Sequence, residues 1–205
     1  ISQDNKDAVE ANVRNLFSNL EKIFSKRPFI FGEIPSLADI GLSGPFYRHF
    51  ALDPVPLKII KSEAPSILNW LDALQSTKLT NLDHQYIEEI PADLDPLLEE
   101  IGKVYLPYLS KNVEAVLSGK KYFEFKSGEL NIRKARFSQY RVWCLKELRD
   151  RFHSLAKEDQ GSVEKMLRKF DCWEPLWTHK KLPLESKQEE NLPFWADRKM
   201  IGVNE

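Results

Sequence analysis

The stretch from Phe29 to Pro54 reads FIFGEIPSLADIGLSGPFYRHFALDP and decides how the chain is expected to fold. An apolar run ends in a Gly-Glu turn, and a Pro-Ser pair is followed three residues later by an acid. In this S-x-x-D pattern, Ser36 accepts a hydrogen bond from the backbone N–H of Asp39, and Asp39 accepts one from that of Ser36. The stretch therefore predicts a capped helix from Ser36 to about Phe50.

This predicted helix is mostly apolar and carries few charges, so we expect it to be buried on most of its sides. Gly44 is followed directly by Pro45 inside the helix. A proline at that place indicates a kink, and the glycine indicates a close approach of another backbone.

Apolar residues at helical spacing continue on both sides of this stretch. They predict helices over 5–26, from residue 57 onward, and over 64–76, 94–117, 137–156 and 160–170, with "DPVP" at 53–56 breaking the chain. Pro107 should kink or split the helix 94–117. The helix 137–156 should present one apolar face, made of Tyr140, Trp143, Cys144, Leu148, Phe152 and Leu155.

The period changes in KKYFEFKSGELNIRKARF, where alternating residues flank a Ser-Gly turn and predict a β-hairpin near residues 122–133. From Asp171 on, the chain is rich in Pro and Trp, and we expect it to pack on the body because Trp rarely stays exposed. The predicted fold class is all-α, a helical bundle with a small β-hairpin insertion.

Composition argues against several classes of partner. The 205 residues are 42% hydrophobic and 30% charged with a net charge of −1, which gives no overall attraction to nucleic acid. Residues 120–151 do hold ten Lys or Arg against four acids, but they form no nucleic-acid motif, and the acidic segment 83–100 could pair with them. We therefore predict no nucleic-acid partner.

Compartment and metal content follow from a few residue types. No apolar run approaches the roughly 20 residues that span a bilayer. The chain starts ISQDNKDAVE, without an apolar or arginine-rich leader, and has two cysteines, Cys144 and Cys172, so we expect a reduced, cytoplasmic protein. Its four histidines are scattered without ligand spacing, and we predict no metal site.

The segment RPFIFGEIPSLADIGLSGPFYRHFALDP resembles the C-terminal helical domain of the glutathione transferase family. In that family a helix ends in a "pFlfG" loop, and a capped "pSlAD" helix follows. Ala64, Pro65 and Trp70 are similar to the family's next "AP…W" helix. Further similarity to long-extension bacterial and eukaryotic members includes Leu106 to Leu109 in an "LPYL" segment and Cys144 to Arg149 in a "C-L-x-x-L-R" helix.

The resemblance implies a domain organisation. Residues 1–78 would be the core helices of the transferase-like domain, 79–177 a helical extension that contains the hairpin, and 178–205 a tail packed on the body. Family members bind glutathione chiefly through an N-terminal thioredoxin-like domain, and this sequence contains no such pattern. The chain is then either a fragment of a longer transferase or a derived helical protein.

Two functions follow as alternatives. In the first, the chain is the helical portion of a glutathione transferase-like protein. It would supply the wall of an apolar acceptor-substrate site and a docking face for the thioredoxin-like domain. Glutathione would be a cofactor only of the full-length parent, and this chain alone would not be catalytic. In the second, it is a non-enzymatic helical module that binds an apolar small molecule or serves in an assembly. A homodimer is compatible with both.

Large aromatic side chains with a few polar tips are typical of an apolar small-molecule pocket. They predict substrate contacts from Phe46, Tyr47 and His49, with Trp173 and Trp177 as a lid. The alternative is that these aromatic residues simply fill the core. Ser36 and Asp39 are predicted to have the structural role of the cap. Cys144 is expected to be a core residue, and the sequence leaves the role of Cys172 open.

Overall fold

The computed structural model describes residues 5–78 and 86–184. The chain divides into two compact units, Ile1–Leu97 and Leu98–Glu205, called unit 1 and unit 2 below and described separately. Both are built mainly of helices, and unit 2 also contains a two-stranded antiparallel hairpin. The predicted all-α class with a small hairpin insertion is confirmed.

The elements follow one another along the chain with short connections. Unit 1 contains α1 (Lys6–Phe24), α2 (Leu37–Pro45) with a π-helical turn (Phe46–Phe50), α3 (Pro54–Glu63), α4 (Ser66–Ser76) and a 3₁₀ turn (Ala92–Leu94). Helix α5 (Asp95–Glu100) contains the point of division. Unit 2 continues with a π-helical turn (Ile101–Tyr105), α6 (Leu106–Leu117), β1 (Tyr122–Ser127), β2 (Leu130–Arg136), α7 (Gln139–Ser154), α8 (Lys157–Lys169) and α9 (Trp173–Trp177).

Aromatic rings fill the core of unit 1. Trp70 of α4 stacks on Phe24 of α1, with ring centroids 4.6 Å apart, and meets the edge of Phe46 at 5.5 Å. Phe17 contacts Phe46 at 5.7 Å and Phe50 at 5.3 Å. These rings therefore join α1, α4 and the π-helical turn into one apolar core.

A buried carboxylate lies at the centre of this core. Asp39 is fully buried, and its Oδ2 accepts hydrogen bonds from the backbone N–H and the hydroxyl of Ser36, at 2.8 and 2.7 Å. Its Oδ1 accepts from the backbone N–H of Ile30 at 2.9 Å and from the indole N–H of Trp70 at 3.1 Å. Besides closing a capping box with Ser36, Asp39 thus links the loop before α2 to helix α4.

Two further ionic contacts fix unit 1. The carboxylate of Glu21 on α1 accepts hydrogen bonds from the backbone N–H and the hydroxyl of Ser66, both at 2.8 Å, and so places an acid at the start of α4. Arg27 donates to both oxygens of Asp93 at 2.9 and 2.8 Å. The hydrogen bonds from Arg27 hold the pKa of Asp93 below its usual value.

The helix predicted over 36–50 differs from the expectation in two ways. It is exposed along one side rather than buried on most sides, because Leu37 is 71% and Ile40 59% exposed. The predicted close approach at Gly44 is also wrong, since a Cβ placed there would meet no atom within 4 Å. Instead, the backbone widens into the π-helical turn directly after Pro45.

The "DPVP" segment starts a helix instead of breaking the chain. Helix α3 begins at Pro54, three residues before the predicted start. The first turn of a helix has backbone N–H groups without helical partners, so Pro54 and Pro56 lose nothing there. Asp53, in extended conformation, precedes the helix.

Pro107 divides the long helix predicted over 94–117. A proline cannot donate to the carbonyl four residues earlier, which here belongs to Lys103. The chain takes up the mismatch in the π-helical turn Ile101–Tyr105, and the Ser127 hydroxyl of β1 donates to the Lys103 carbonyl at 3.2 Å. The hairpin therefore satisfies the acceptor that the proline leaves without a partner.

The predicted face of helix α7 is wrong. Tyr140 and Leu148 are exposed, and the buried residues are Val142, Leu145 and Arg149. Tyr140 stacks on Trp143 with ring centroids 5.7 Å apart, which covers part of its apolar area without burying it in the core. An arginine consequently faces the interior in place of the expected aromatic residue.

The chain after Asp171 contains a helix that the sequence analysis missed, α9. Beyond α9, Leu182 and Leu184 pack against the core of unit 2, as expected for the start of the tail. The predicted packing of Trp195 and Pro193 lies outside the described residues. The proposed boundaries at 78 and 177 stay predictions.

Gly102 generates a stability prediction. A Cβ built on it would lie 1.8 Å from the carbonyl oxygen of Phe170 at the end of α8, an overlap with rigid backbone. Gly102→Ala should therefore destabilise unit 2 by about 2 kcal/mol or more, as overpacking does. Urea unfolding followed by circular dichroism checks this. Gly161→Ala is the control, because nothing lies within 4 Å of that position, and equal midpoints for both variants would contradict the prediction.

The four hydrogen bonds to Asp39 generate a second prediction. Asp39→Ala leaves three buried groups, on Ile30, Ser36 and Trp70, without their acceptor, so unit 1 should lose about 3 kcal/mol or more. Ser36→Ala removes only the hydroxyl part of the cap and should cost about 1 kcal/mol. Thermal and urea midpoints measure both. Equal losses for the two variants would mean that Asp39 acts only as a cap.

Candidate functional site

The five residues predicted to contact a substrate fall into two groups. Phe46, Tyr47 and His49 share the π-helical turn of unit 1. Trp173 and Trp177 lie at the two ends of α9 in unit 2, with ring centroids 5.5 Å apart. Each group is therefore described within its own unit.

The residues of the unit 1 group differ in exposure. Phe46 is 1% exposed and lies within the aromatic core. Tyr47 is at the surface, and its hydroxyl donates to the carbonyl oxygen of Leu71; partial burial raises the pKa of Tyr47. His49 is exposed, with Nδ1 3.9 Å from a carboxylate oxygen of Asp53. Only Tyr47 and His49 could touch a ligand, while Phe46 supports the turn from below.

An apolar stripe runs along α2 next to this turn. It consists of Leu37, Ile40, Gly41 and Gly44, spaced three or four residues apart and all exposed. Gly41 and Gly44 have no atom within 4 Å of an added Cβ, so the surface beside them is open. The opposite side of the helix carries Asp39. A helix of this kind can accept another apolar surface along the stripe.

An aromatic cluster surrounds α9 in unit 2. The ring of Phe152 lies 5.1 Å from Trp173 and 5.7 Å from Trp177, and the ring of His153 lies 5.1 Å from Trp177. The guanidinium of Arg168 covers Trp173 at 4.9 Å. The two indoles are half-buried, so part of the cluster reaches the surface.

Arg149 is the feature of this cluster that sequence reasoning missed. Its guanidinium carbon lies 5.1 Å from the centre of the Trp177 ring, and its Nε donates to the carbonyl oxygen of Leu176 at 2.7 Å. Burial lowers the pKa of Arg149. Its spacing of seven and four residues from Val142 and Leu145 is the signal that could have placed it on the inner face.

The remaining reactive groups give no second site. In the part of the chain that the structure describes, no group of three His, Cys, Asp or Glu residues could hold a metal ion. Two clefts in unit 2, of about 460 and 370 Å³, are lined largely by charged residues of both signs from α6 and the hairpin. Over the same described residues, no helix is long and apolar enough to cross a membrane.

Both cysteines are free thiols with little nucleophilic character. Cys172 is 1% exposed, and Cys144 is half-buried. Burial raises the pKa of both thiols, which lowers the thiolate fraction near neutral pH. Cys144 fits the expected core role, and Cys172, whose role was left open, is also a core residue.

Thiol labelling tests this conclusion. At pH 7.5 the native protein should react with iodoacetamide more slowly than free cysteine, Cys172 more slowly than Cys144, and both should react quickly in denaturant. Because the thiol pKa values are raised, the native rate should climb as the pH rises from 7 to 9. Cys144→Ser and Cys172→Ser assign the two reactions. A native thiol that reacts as fast as free cysteine at pH 7 would contradict the prediction.

Comparison with known families accounts for part of the chain. Residues 3–73 match the model of the glutathione S-transferase C-terminal domain, which is about a third of the sequence. No curated protein and no solved structure matches the chain. The matched segment includes α1 to α3, most of α4 and the whole Asp39 network. Residues 3–73 thus belong to the glutathione S-transferase C-terminal domain family.

Proposed function

We propose that the chain is the helical portion of a glutathione transferase-like protein and that unit 1 docks a thioredoxin-like domain. The apolar stripe of α2 carries this proposal. Leu37 and Ile40 remain 71% and 59% exposed, although the rest of the helix is anchored through Asp39. Exposed apolar residues on one helix face are typical of a surface that a partner covers.

The proposed acceptor-substrate wall adjoins the stripe. Tyr47 and His49 would contact the substrate, and Phe46 would hold the turn in place from the core. The phenol ring offers apolar area, while its hydroxyl is engaged by the Leu71 carbonyl, so an apolar substrate would displace no hydrogen bond there. Glutathione would bind to the partner domain. The reducing cytoplasm is the proposed compartment, supported by the two free thiols.

The second candidate is a non-enzymatic helical module that binds an apolar ligand. The aromatic cluster of Phe152, Trp173 and Trp177 favours it, because half-buried indoles offer a large contact area at the surface. This candidate needs no thioredoxin-like domain, so the mass of the native polypeptide separates it from the first.

Mass spectrometry of the native polypeptide is the first part of the test. A thioredoxin-like domain and its linking helix would add about 80–130 residues to the chain, the size of one small domain. In that longer polypeptide, Ile40→Glu should speed the separation of the domains by limited proteolysis by about tenfold, because it places a charge in the apolar contact. Val55→Glu is the matched control, since Val55 is 73% exposed on α3, outside the stripe.

Tyr47→Ala tests the acceptor wall in the same polypeptide. It should raise the KM for an electrophilic aryl halide several-fold and leave the KM for glutathione unchanged. A native mass of 23.9 kDa would contradict the docking proposal, as would equal effects of Ile40→Glu and Val55→Glu. An unchanged KM for the aryl halide would remove Tyr47 from the site.

A further inference from the structure

We propose that Arg149 and Trp177 bind the carboxylate of a small aromatic acid, whose ring lies on the aromatic cluster of unit 2. This inference rests on unit 2 alone and does not depend on the proposed function. It starts from two buried hydrogen-bond donors on facing helices that lack acceptors.

The first donor is the guanidinium of Arg149. The residue is only 8% exposed, and its Nη2 is buried without a hydrogen-bond partner. A buried polar group without a partner costs free energy, and a charged one costs more. In native structures such a group calls for an acceptor that completes it.

The second donor is the indole N–H of Trp177, which is also buried and unpartnered. The guanidinium of Arg149 lies over this same ring, with its carbon 5.1 Å from the ring centre. The two missing acceptors therefore belong to one place in the fold. A single group with two acceptor atoms, as in a carboxylate, could satisfy both donors.

The charge of Arg149 points to an anion rather than to a neutral acceptor. In the described part of the chain, no carboxylate pairs with Arg149, and burial alone lowers its pKa. The nearby acids already have cations: Asp150 pairs with Lys146, Glu147 with Arg151, and Glu174 with Arg168. The buried positive charge is therefore uncompensated within this cluster, and a bound anion would compensate it.

The neighbouring rings define the rest of the ligand. Phe152 and Trp173 lie within 5.1–5.7 Å of one another or of Trp177, and the half-buried indoles leave aromatic surface open to solvent. An aromatic group attached to the carboxylate would stack there in the offset or edge-to-face geometry that rings prefer. Arg149 and Trp177 would orient its acid end.

Isothermal titration calorimetry with 1-naphthylacetate tests the site. The neutral 1-naphthylacetamide has nearly the same shape and lacks the charge. The wild-type chain should bind the acid at one site and about tenfold or more tightly than the amide, since hydrogen bonds to charged groups differ from neutral ones by at least that factor. Trp177→Phe keeps the ring, removes the N–H and should reduce this preference several-fold.

Arg149→Met should abolish the preference for the acid. The variant is expected to fold, and its thermal midpoint without ligand should stay equal or rise, because an apolar side chain replaces an uncompensated buried charge. A purely structural arginine would instead give a lower midpoint. Arg168→Met is the matched control: Arg168 also covers a Trp ring but is half-exposed and paired with Glu164 and Glu174, so the preference should stay within about twofold.

Three results would overturn the proposal. One is the absence of binding to the wild type, which would leave a water or a glutamate from residues 185–205 as the acceptor. Another is equal affinity of the wild type for acid and amide, a comparison that needs no variant. The last is a preference that survives Arg149→Met or that falls as much in Arg168→Met.

Discussion

The fold of unit 1 depends on one buried carboxylate. Asp39 accepts hydrogen bonds from Ile30, Ser36 and Trp70, and so connects the FIFG loop, the start of α2 and the middle of α4. Trp70 then stacks on Phe24 of α1 and meets Phe46 after α2. The polar contacts fix the direction in which the rings point, and the rings exclude water from the polar contacts. Neither arrangement would be stable without the other, because a buried charge needs all its donors.

The anchoring of one side of α2 explains what the other side can do. With Asp39 on the inner side, Leu37, Ile40, Gly41 and Gly44 have to face outward, since residues three and four apart share one face of a helix. An apolar outer face is therefore a consequence of the cap and its register. The proposed docking of a thioredoxin-like domain uses this face, and the proposed acceptor wall uses the π-helical turn that follows it.

The sequence predicted the capped helix, the hairpin and the all-α class because each depends on local patterns: S-x-x-D, alternation around Ser-Gly, and helical spacing. It could not predict that Asp39 also binds Ile30 and Trp70, since the Trp70 contact crosses 31 positions of the chain. The inner face of α7 was missed for a related reason. Aromatic residues suggested one face, but Tyr140 stacks on Trp143 at the surface, and the long apolar stem of Arg149 allowed a cation to turn inward. The Arg149–Trp177 pair was thus visible only in three dimensions.

Hydrogen exchange tests the central role of Asp39 most directly. The Asp39 carboxylate is the common acceptor for the indole N–H of Trp70 and the backbone N–H groups of Ile30 and Ser36. These three protons should therefore exchange with one shared opening free energy, close to that of global unfolding of unit 1. Nuclear magnetic resonance resolves all three. Exchange of the Ile30 or Ser36 proton at the rate of an open loop, with the Trp70 proton still protected, would show that the carboxylate does not hold these elements together.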